Sequence, residues 1–200
     1  MNLSKNIFFT IIIPCYNSEK TIQRCIKSVL IQNFKRIEIL VINDCSKDGT
    51  LNILKKYKKK IKIINNKKNF GVGHSRNKGI DKANGKYLIF LDADDILIKN
   101  KLKNLYNEIN KYKKIDFLIG QHNINRDGYL YKNNINNKTI SNKLKFINNL
   151  DKFYGYCWRF IISKSYLDEN QLKFSNARIF EDEEFVAKLI MNVKNLFIDI

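Results

Sequence analysis

An α/β fold, a mostly parallel central sheet with helices on both faces, is what this sequence predicts, and three observations predict it. Unbroken apolar runs recur at residues 7–13, 37–42, 61–64, 87–91 and 115–119. Stretches of helical period separate them. Within the runs apolar residues do not alternate with polar ones, so each is a strand buried on both sides, as in a parallel sheet held between helix layers. With 200 residues and 44% hydrophobic content, the chain can close one core, and intrinsic disorder is excluded.

The elements follow in order. The first run comes after a single lysine, is too short to span a bilayer and has no small-residue cleavage site, so it reads as a strand and not as a signal. A first helix over 19–32 places Ile22, Cys25, Ile26, Val29 and Leu30 on one stripe, with Ser18 as its N-cap. A second opens at Ser46 or Lys47 and ends in the lysines of 55–60, where cations suit the helix dipole. A third covers 72–83 and stops at Asn84-Gly85, the glycine serving as a left-handed cap. The strand at 87–91 then delivers Asp92-Ala93-Asp94-Asp95 to its carboxyl end. A helix over 101–113 and the strand at 115–119 follow. The Asn-rich stretch 121–142 reads as a small antiparallel excursion turning at Asp127-Gly128. Aromatic residues then gather (Phe153, Tyr154, Tyr156, Trp158, Phe160). Core packing is the expected role for most of them, with Trp158 the candidate for stacking on a sugar. A last helix runs from about 181 to 192, and residues 195–200 read as a strand.

Lysine and arginine outnumber aspartate and glutamate 37 to 19, a formal charge of +18. Such a balance raises the prospect of a polyanionic partner. Only 6 of the basic residues are arginine, however, and there are 28 asparagines, so a general drift toward Lys and Asn accounts for the excess. Arginine, whose planar fork reads bases and phosphates, is scarce, and no nucleic-acid partner is expected. The basic surface suits peripheral contact with an anionic membrane. The four cysteines form no CxxC pair, which argues against a zinc site or a disulfide framework and for a reducing cytoplasm, at most at the inner face of the membrane. His74 and His122 are isolated and read as structural.

Ligands of open α/β sheets gather beyond the carboxyl ends of the strands. Three carboxylates within Asp92-Ala93-Asp94-Asp95 repel one another unless a cation or protons relieve them. A hard divalent ion would do so, taking oxygen ligands and leaving positions for phosphate; an acidic loop capping the next helix is the other reading. Asp44 follows a strand and reads equally as an acceptor for the ring N–H of a uracil-like base or as a helix cap. Gly71-Val72-Gly73-His74-Ser75-Arg76 imitates a dinucleotide fingerprint but has arginine where the third glycine belongs. Arg76 suits either a phosphate or base contact or a surface ion pair. In Glu181-Asp182-Glu183-Glu184, acidic residues at a helix start are favoured by the dipole alone. At 100° per residue, however, Asp182 lies on the stripe of Phe185, Val186, Leu189 and Ile190, whereas Glu184 points away. A carboxylate leaning into an apolar face gains the raised pKa that suits a general base.

Four blocks in order resemble family 2 glycosyltransferases: Ile11-Ile12-Ile13-Pro14-Cys15-Tyr16-Asn17; Glu38-Ile39-Leu40-Val41-Ile42-Asn43-Asp44-Cys45-Ser46-Lys47-Asp48-Gly49-Thr50; Asn69-Phe70-Gly71-Val72-Gly73-His74-Ser75-Arg76-Asn77-Lys78-Gly79; and Tyr87-Leu88-Ile89-Phe90-Leu91-Asp92-Ala93-Asp94-Asp95. Leu172-Lys173-Phe174 and Glu181-Asp182-Glu183-Glu184-Phe185 resemble the acceptor-side segment of that family. The resemblance implies a GT-A type, Rossmann-like sandwich with a small antiparallel acceptor-side extension. Residues 1–120 would bind the donor, and 121–200 would form the acceptor side of the same domain, in a minimal or truncated member. It further implies a nucleotide-sugar donor, UDP-linked; a glycan or lipid-linked saccharide acceptor; Mn2+ or Mg2+; and inversion at the anomeric carbon. By position, Pro14, Cys15, Tyr16 and Asn17 would line the base, Asp44 would hold its ring N–H and Arg76 would lie near it. Asp92, with Ala93 beside it, would meet the ribose, Asp94 would bind the metal assisted by Asp92, and Asp182 would deprotonate the acceptor with Glu181 beside it. Cys45 stands where many members carry glycine, and Ser75 where many carry alanine. A basic nucleic-acid module leaves Asp92 and Asp94 without a role, whereas a nucleotide-sugar-binding domain without turnover stands as the alternative reading.

Overall fold

A computed structural model describes residues 7–112, 114–119, 123–126, 129–132, 139–140, 156–175, 177, 179–193 and 196–199. Among the described residues, ten strands and six α-helices follow in the order β1 (Phe9–Cys15), α1 (Ile22–Leu30), β2 (Ile37–Asn43), α2 (Thr50–Lys56), β3 (Lys62–Asn65), α3 (Val72–Lys82), β4 (Tyr87–Phe90), α4 (Lys101–Ile109), β5 (Ile115–Ile119), β6 (Asn123–Arg126), β7 (Tyr129–Lys132), β8 (Thr139–Ile140), β9 (Phe160–Ser163), α5 (Lys164–Glu169), α6 (Glu181–Met191) and β10 (Leu196–Asp199). Eight strands form one sheet in the order β3-β2-β1-β4-β9-β5-β10-β8, and β6 pairs with β7. β1 is parallel to both β2 and β4, and β2 is parallel to β3. The expected α/β fold with a mostly parallel sheet is what the chain adopts.

The unbroken apolar runs explain the two layers. Along β1, Phe9, Ile11 and Ile13 pack into a core shared with Ile22, Cys25, Ile26 and Val29 of α1 and Leu102 and Leu105 of α4. Ile12 points the other way, toward Ile80 of α3, Leu167 of α5 and Phe185 and Leu189 of α6. With period-2 side chains, a strand covered on both faces must be apolar at every position. β9 was not expected as a strand. It lies antiparallel between β4 and β5, with Ile89 opposite Ile161 and Phe117 opposite Ile162. Its amino end therefore lies beside the carboxyl end of β4, where the parallel strands also finish. The one-turn 3-10 helix Cys157–Arg159 leads into it.

Several boundaries differ from expectation. α1 starts at Ile22 with no side-chain cap; Ser18 contributes its backbone carbonyl, which accepts from Thr21 N–H at 3.0 Å and Ile22 N–H at 2.9 Å. α2 opens at Thr50, after the expected Ser46 or Lys47; residues 44–49 stay a loop, in which Asp48 Oδ1 accepts from the Thr50 N–H at 3.0 Å. α4 ends at Ile109. The turn expected at Asp127-Gly128, together with His122, Phe153 and Tyr154, lies outside the described residues; on either side of the turn Arg126 pairs with Tyr129.

Gly85 is not a left-handed cap, since the only glycine with positive φ among the described residues is Gly71. Its role is close approach: a Cβ there would lie 2.5 Å from Thr10 N and 2.8 Å from the Phe9 carbonyl carbon, in the backbone of β1. Backbone in a central strand cannot give way. Gly85→Ala is therefore expected to cost about 1–3 kcal/mol and to lower the melting temperature by roughly 2–4 °C per kcal/mol, read by thermal unfolding; an unchanged melting temperature would refute the close-approach role.

Candidate active site

β1 and β2 run in register to Cys15 and Asn43, and Asp44 N–H donates to the Cys15 carbonyl at 2.8 Å. The loops beyond them are knitted together: Asn17 Oδ1 accepts from Lys47 N–H at 2.8 Å, Asn17 N–H donates to Ser46 Oγ at 3.0 Å, and Glu19 N–H donates to Asp48 Oδ2 at 3.0 Å. These loops and the tip after β4 enclose a groove of about 530 Å3, lined by Tyr16 to Thr21, Asp48, Ala93 and Asp94. Tyr16 and Asn17 thus border the groove. Pro14 and Cys15 do not: they belong to the buried strand β1 behind it. Burial first, then the charges of Asp48 and Asp44, push the Cys15 thiol up to about 12, so it is a neutral packing group.

Asp44 is 3% exposed and accepts from three donors. Its Oδ1 accepts from Asn66 Nδ2 at 2.7 Å, its Oδ2 from Gly71 N–H at 2.8 Å, and both oxygens from Phe70 N–H at 3.1 Å. The carboxylate anchors the 66–71 loop that leads into α3, a task neither reading of the sequence gave it. Asn66, which the sequence did not single out, also donates to Ser75 Oγ at 3.1 Å and accepts from Lys78 Nζ at 2.7 Å. That hydrogen bond gives Ser75 a use that alanine lacks.

The tip after β4 is held through its backbone. Arg24 Nη2 donates to the Asp94 carbonyl at 2.6 Å and Cys25 Sγ to the Asp92 carbonyl at 3.4 Å. Partial burial, then repulsion from Asp92 and Asp94, raise the Asp95 carboxyl to about 6, against the pull of Arg24. The Asp94 side chain is exposed at the groove and makes no ion pair with a described residue. Among the described residues there is no cluster of three metal-ligating side chains. A hard ion does not need one, because Mg2+-type sites use one or two carboxylates and fill the remainder with water and phosphate oxygens. Asp94 fits that role.

Arg76, expected near the base, is not among the residues that border the groove. It is 3% exposed, and its guanidinium is engaged by three carboxylates: Nη2 donates to Asp92 Oδ1 at 2.9 Å, and Nη1 donates to Glu181 Oε1 at 3.1 Å and to Asp182 Oδ1. The Phe174 ring lies under the guanidinium, 5.4 Å from it. Burial works against the charge on Arg76, and its acidic neighbours more than offset this. Asp182 is raised above the ordinary carboxylate value, chiefly by burial and then by Glu181 and Asp92, while Arg76 and the Cys157 N–H hold it down. Glu181 is buried beside it, whereas Glu184 is exposed and pairs with Lys188.

Two features of this cluster were missed. Cys157, whose N–H lies 3.4 Å from Asp182 Oδ2, has no motif, because only the antiparallel β9 brings it to the strand ends. Gly73 carried a signal that was read as an imitation fingerprint. A Cβ there would lie 2.8 Å from the Ser175 carbonyl oxygen, so the glycine lets the segment ahead of α6 close on α3.

The family model described as glycosyl transferase family 2 matches residues 10–170. The poly(ribitol-phosphate) beta-N-acetylglucosaminyltransferase TarP of Staphylococcus aureus is 34% identical over 192 residues, which is 93% of this chain and 58% of TarP. A cholesterol galactosyltransferase of Borreliella burgdorferi is 30% identical, over 94% of this chain and 56% of its own length. Among solved structures, residues 1–349 of S. aureus TarS superpose with a TM-score of 0.85 at 28% identity, covering 97% of this chain and 58% of that one. The same TarS segment has been solved with UDP and with UDP-GlcNAc. The chain thus spans somewhat over half the length of these relatives. Among the described residues no helix is long and apolar enough to cross a membrane.

Cys45 follows Asp44 with φ 62°, in the left-handed region. Glycine at that position is relieved of about 1–2 kcal/mol of steric strain and costs roughly 0.5–1 kcal/mol of unfolded-chain entropy. Cys45→Gly is accordingly expected to raise the unfolding free energy by several tenths of a kcal/mol. Denaturant titration checks this, and a clear loss of stability would contradict it.

Proposed function

We propose that this chain, which belongs to glycosyl transferase family 2, transfers a sugar from a UDP-linked donor to a hydroxyl of a glycan or lipid-linked saccharide, with inversion at the anomeric carbon. The observation that carries the reading is the convergence, at one end of the sheet, of the groove bordered by Asp94 with the buried Asp92–Arg76–Asp182 cluster. Donor-side and acceptor-side carboxylates share one edge. The likeness to TarS, solved with UDP and UDP-GlcNAc, supports the donor class.

In this reading Tyr16 and Asn17 border the nucleobase, with Pro14 and Cys15 as the rigid strand end behind them. Asp44 shapes that end of the site through the 66–71 loop and retains lone-pair capacity for the ring N–H. Asp92, beside Ala93, meets the ribose. Asp94, with Asp92 behind it, would hold Mn2+ or Mg2+, which supplies neutralisation of the charge that develops on the departing diphosphate. Asp182 takes the proton of the incoming hydroxyl, and Glu181 flanks it. Inversion needs one such base and no covalent intermediate, as in the division of labour of inverting glycosidases.

Calorimetry with UDP, with and without Mn2+, tests the donor half. Binding to the wild type is expected to strengthen with Mn2+, and Asp94→Ala is expected to remove that gain. Equal heats in all four conditions would reject the site.

The base half predicts a pH dependence. Asp182 works only deprotonated, and burial raises its pKa, so kcat/KM is expected to rise with pH through a midpoint above the ordinary carboxylate value of about 4. Asp182→Asn removes the base and is expected to lower kcat by about 10²- to 10⁴-fold. A pH-independent rate, or full activity in the variant, would exclude Asp182 as the base.

A further inference from the structure

We propose that an exposed isoleucine patch next to the groove, ringed by lysines, seats the protein on the surface of a membrane that carries anionic lipids. The patch supplies the lipid surface in which a lipid-linked acceptor would be held, and for that purpose alone it rests on the proposed function. Ile31, Ile96 and Ile98 are 60%, 62% and 53% exposed, so most of each side chain meets water. The end of α1 brings them together. Leu97 N–H donates to Ser28 Oγ at 2.9 Å, Gln32 Nε2 donates to the Ile98 carbonyl at 2.9 Å, and Leu102 N–H donates to Gln32 Oε1 at 3.3 Å. Residues 96–98 are thereby laid along the last turn of α1, whose C-cap is Ile31. Between the two exposed isoleucines, Leu97 packs against the core. The hydrogen bonds to α1 hold the segment in this setting, which takes Leu97 inward and leaves Ile96 and Ile98 outside.

Lysines form the rim. Lys27 lies one helical turn before Ile31, Lys99 follows Ile98, and Lys103 is in the first turn of α4. All three are exposed and pair with no carboxylate among the described residues. The carboxylates nearest in sequence, Asp94 and Asp95, stand at the groove end of the segment, where Arg24 holds the Asp94 carbonyl. An apolar centre inside a cationic rim matches a lipid surface, which offers an apolar interior directly beneath a layer of phosphate. Lysine stems lie along the apolar boundary and keep their ammonium groups among the headgroups. A second copy of the chain matches less well, since a two-fold contact would set this rim against itself. The charge of +18 adds attraction at longer range, but only the local pairing of isoleucine with lysine fixes which face meets the lipid. Asp94 borders the groove and precedes Ile96 by two residues, so docking brings the groove to the membrane surface.

The test is flotation of the whole chain with phosphatidylcholine vesicles, with and without phosphatidylglycerol, in the absence of sugar donor and acceptor. Binding is expected with phosphatidylglycerol and not with phosphatidylcholine alone, and it should fall as salt is raised. The triple variant Ile31→Ser, Ile96→Ser, Ile98→Ser is expected to lower the partition coefficient on the order of tenfold with an unchanged melting temperature. Lys27→Gln and Lys99→Gln are expected to cost about fivefold each. Lys58→Gln and Lys59→Gln, in the exposed lysine run ahead of β3, are expected to cost less than about twofold each, since charges away from the surface are screened. In Ile98→Trp, emission is expected to shift to the blue on anionic vesicles, beyond any change that Trp158 gives in the wild type; this reports on the patch even where the triple variant folds poorly. Full binding by the triple variant, equal losses at the two pairs of lysines, or no blue shift would overturn the proposal and leave adsorption by overall charge. Self-association that the triple variant abolishes, with vesicle binding intact, would assign the patch to a second copy and overturn it as well. If anionic vesicles are bound and UDP is not, the surface stands and the donor site falls; the converse result removes the surface and leaves the donor site.

Discussion

A guanidinium removed from water needs carboxylates, and crowded carboxylates need a cation; Arg76 and Glu181 are buried, Asp182 and Asp92 are half-buried, and each charge depends on the others. The partners arrive on different elements. Asp92 comes from the end of β4, Glu181 and Asp182 from the start of α6, and Arg76 from the face of α3 turned toward both. The mutual requirement joins the end of β4 to the start of α6. The neighbouring groove has loops whose polar groups are satisfied one against another, as with Asn17, Ser46 and Lys47, so its walls do not depend on a ligand to hold their shape.

Much of the fold was legible because strands buried on both faces are apolar throughout, and β1, β2 and β5 display that pattern without interruption. β9 is equally apolar, Phe160-Ile161-Ile162, but it follows a cluster of aromatic residues that reads as general core material. Periodicity reports that a segment is buried and not which neighbours it has, and nothing local in a sequence announces an antiparallel strand inserted between two parallel ones. The caps failed for a related reason. Ser18 and Gly85 have the right identities, but side chains and strand backbones distant in sequence decided their roles, as Thr10 does for Gly85.

The grouping of the candidate site was legible at the strand ends, since Tyr16, Asn17 and Asp94 border one groove. It was less so where a residue acts through others. Helical phase placed Asp182 against the apolar stripe, which agrees with its burial, yet the same phase gave no reason for Glu181 to be buried as well; Arg76 provides that reason. The contacts of Arg76 and Asp44 are long-range, and single residues give no hint of a partner 26 or 106 positions away. Cys45 is the converse case. Its departure from glycine looked neutral because no chemical group is lost, whereas the cost lies in the backbone angle it must adopt.

The insertion of β9 also has a temporal side. The ribosome delivers β4 and β5 about seventy and forty residues before β9, and at roughly 5–20 residues per second the two strands wait several seconds with unsatisfied hydrogen-bonding edges facing each other across an empty lane. Apolar edges of that kind invite pairing with other chains. The nascent polypeptide thus passes through an interval in which its most buried strands are also its stickiest, and insertion of β9 closes that interval at the same moment as it brings Cys157 to Asp182.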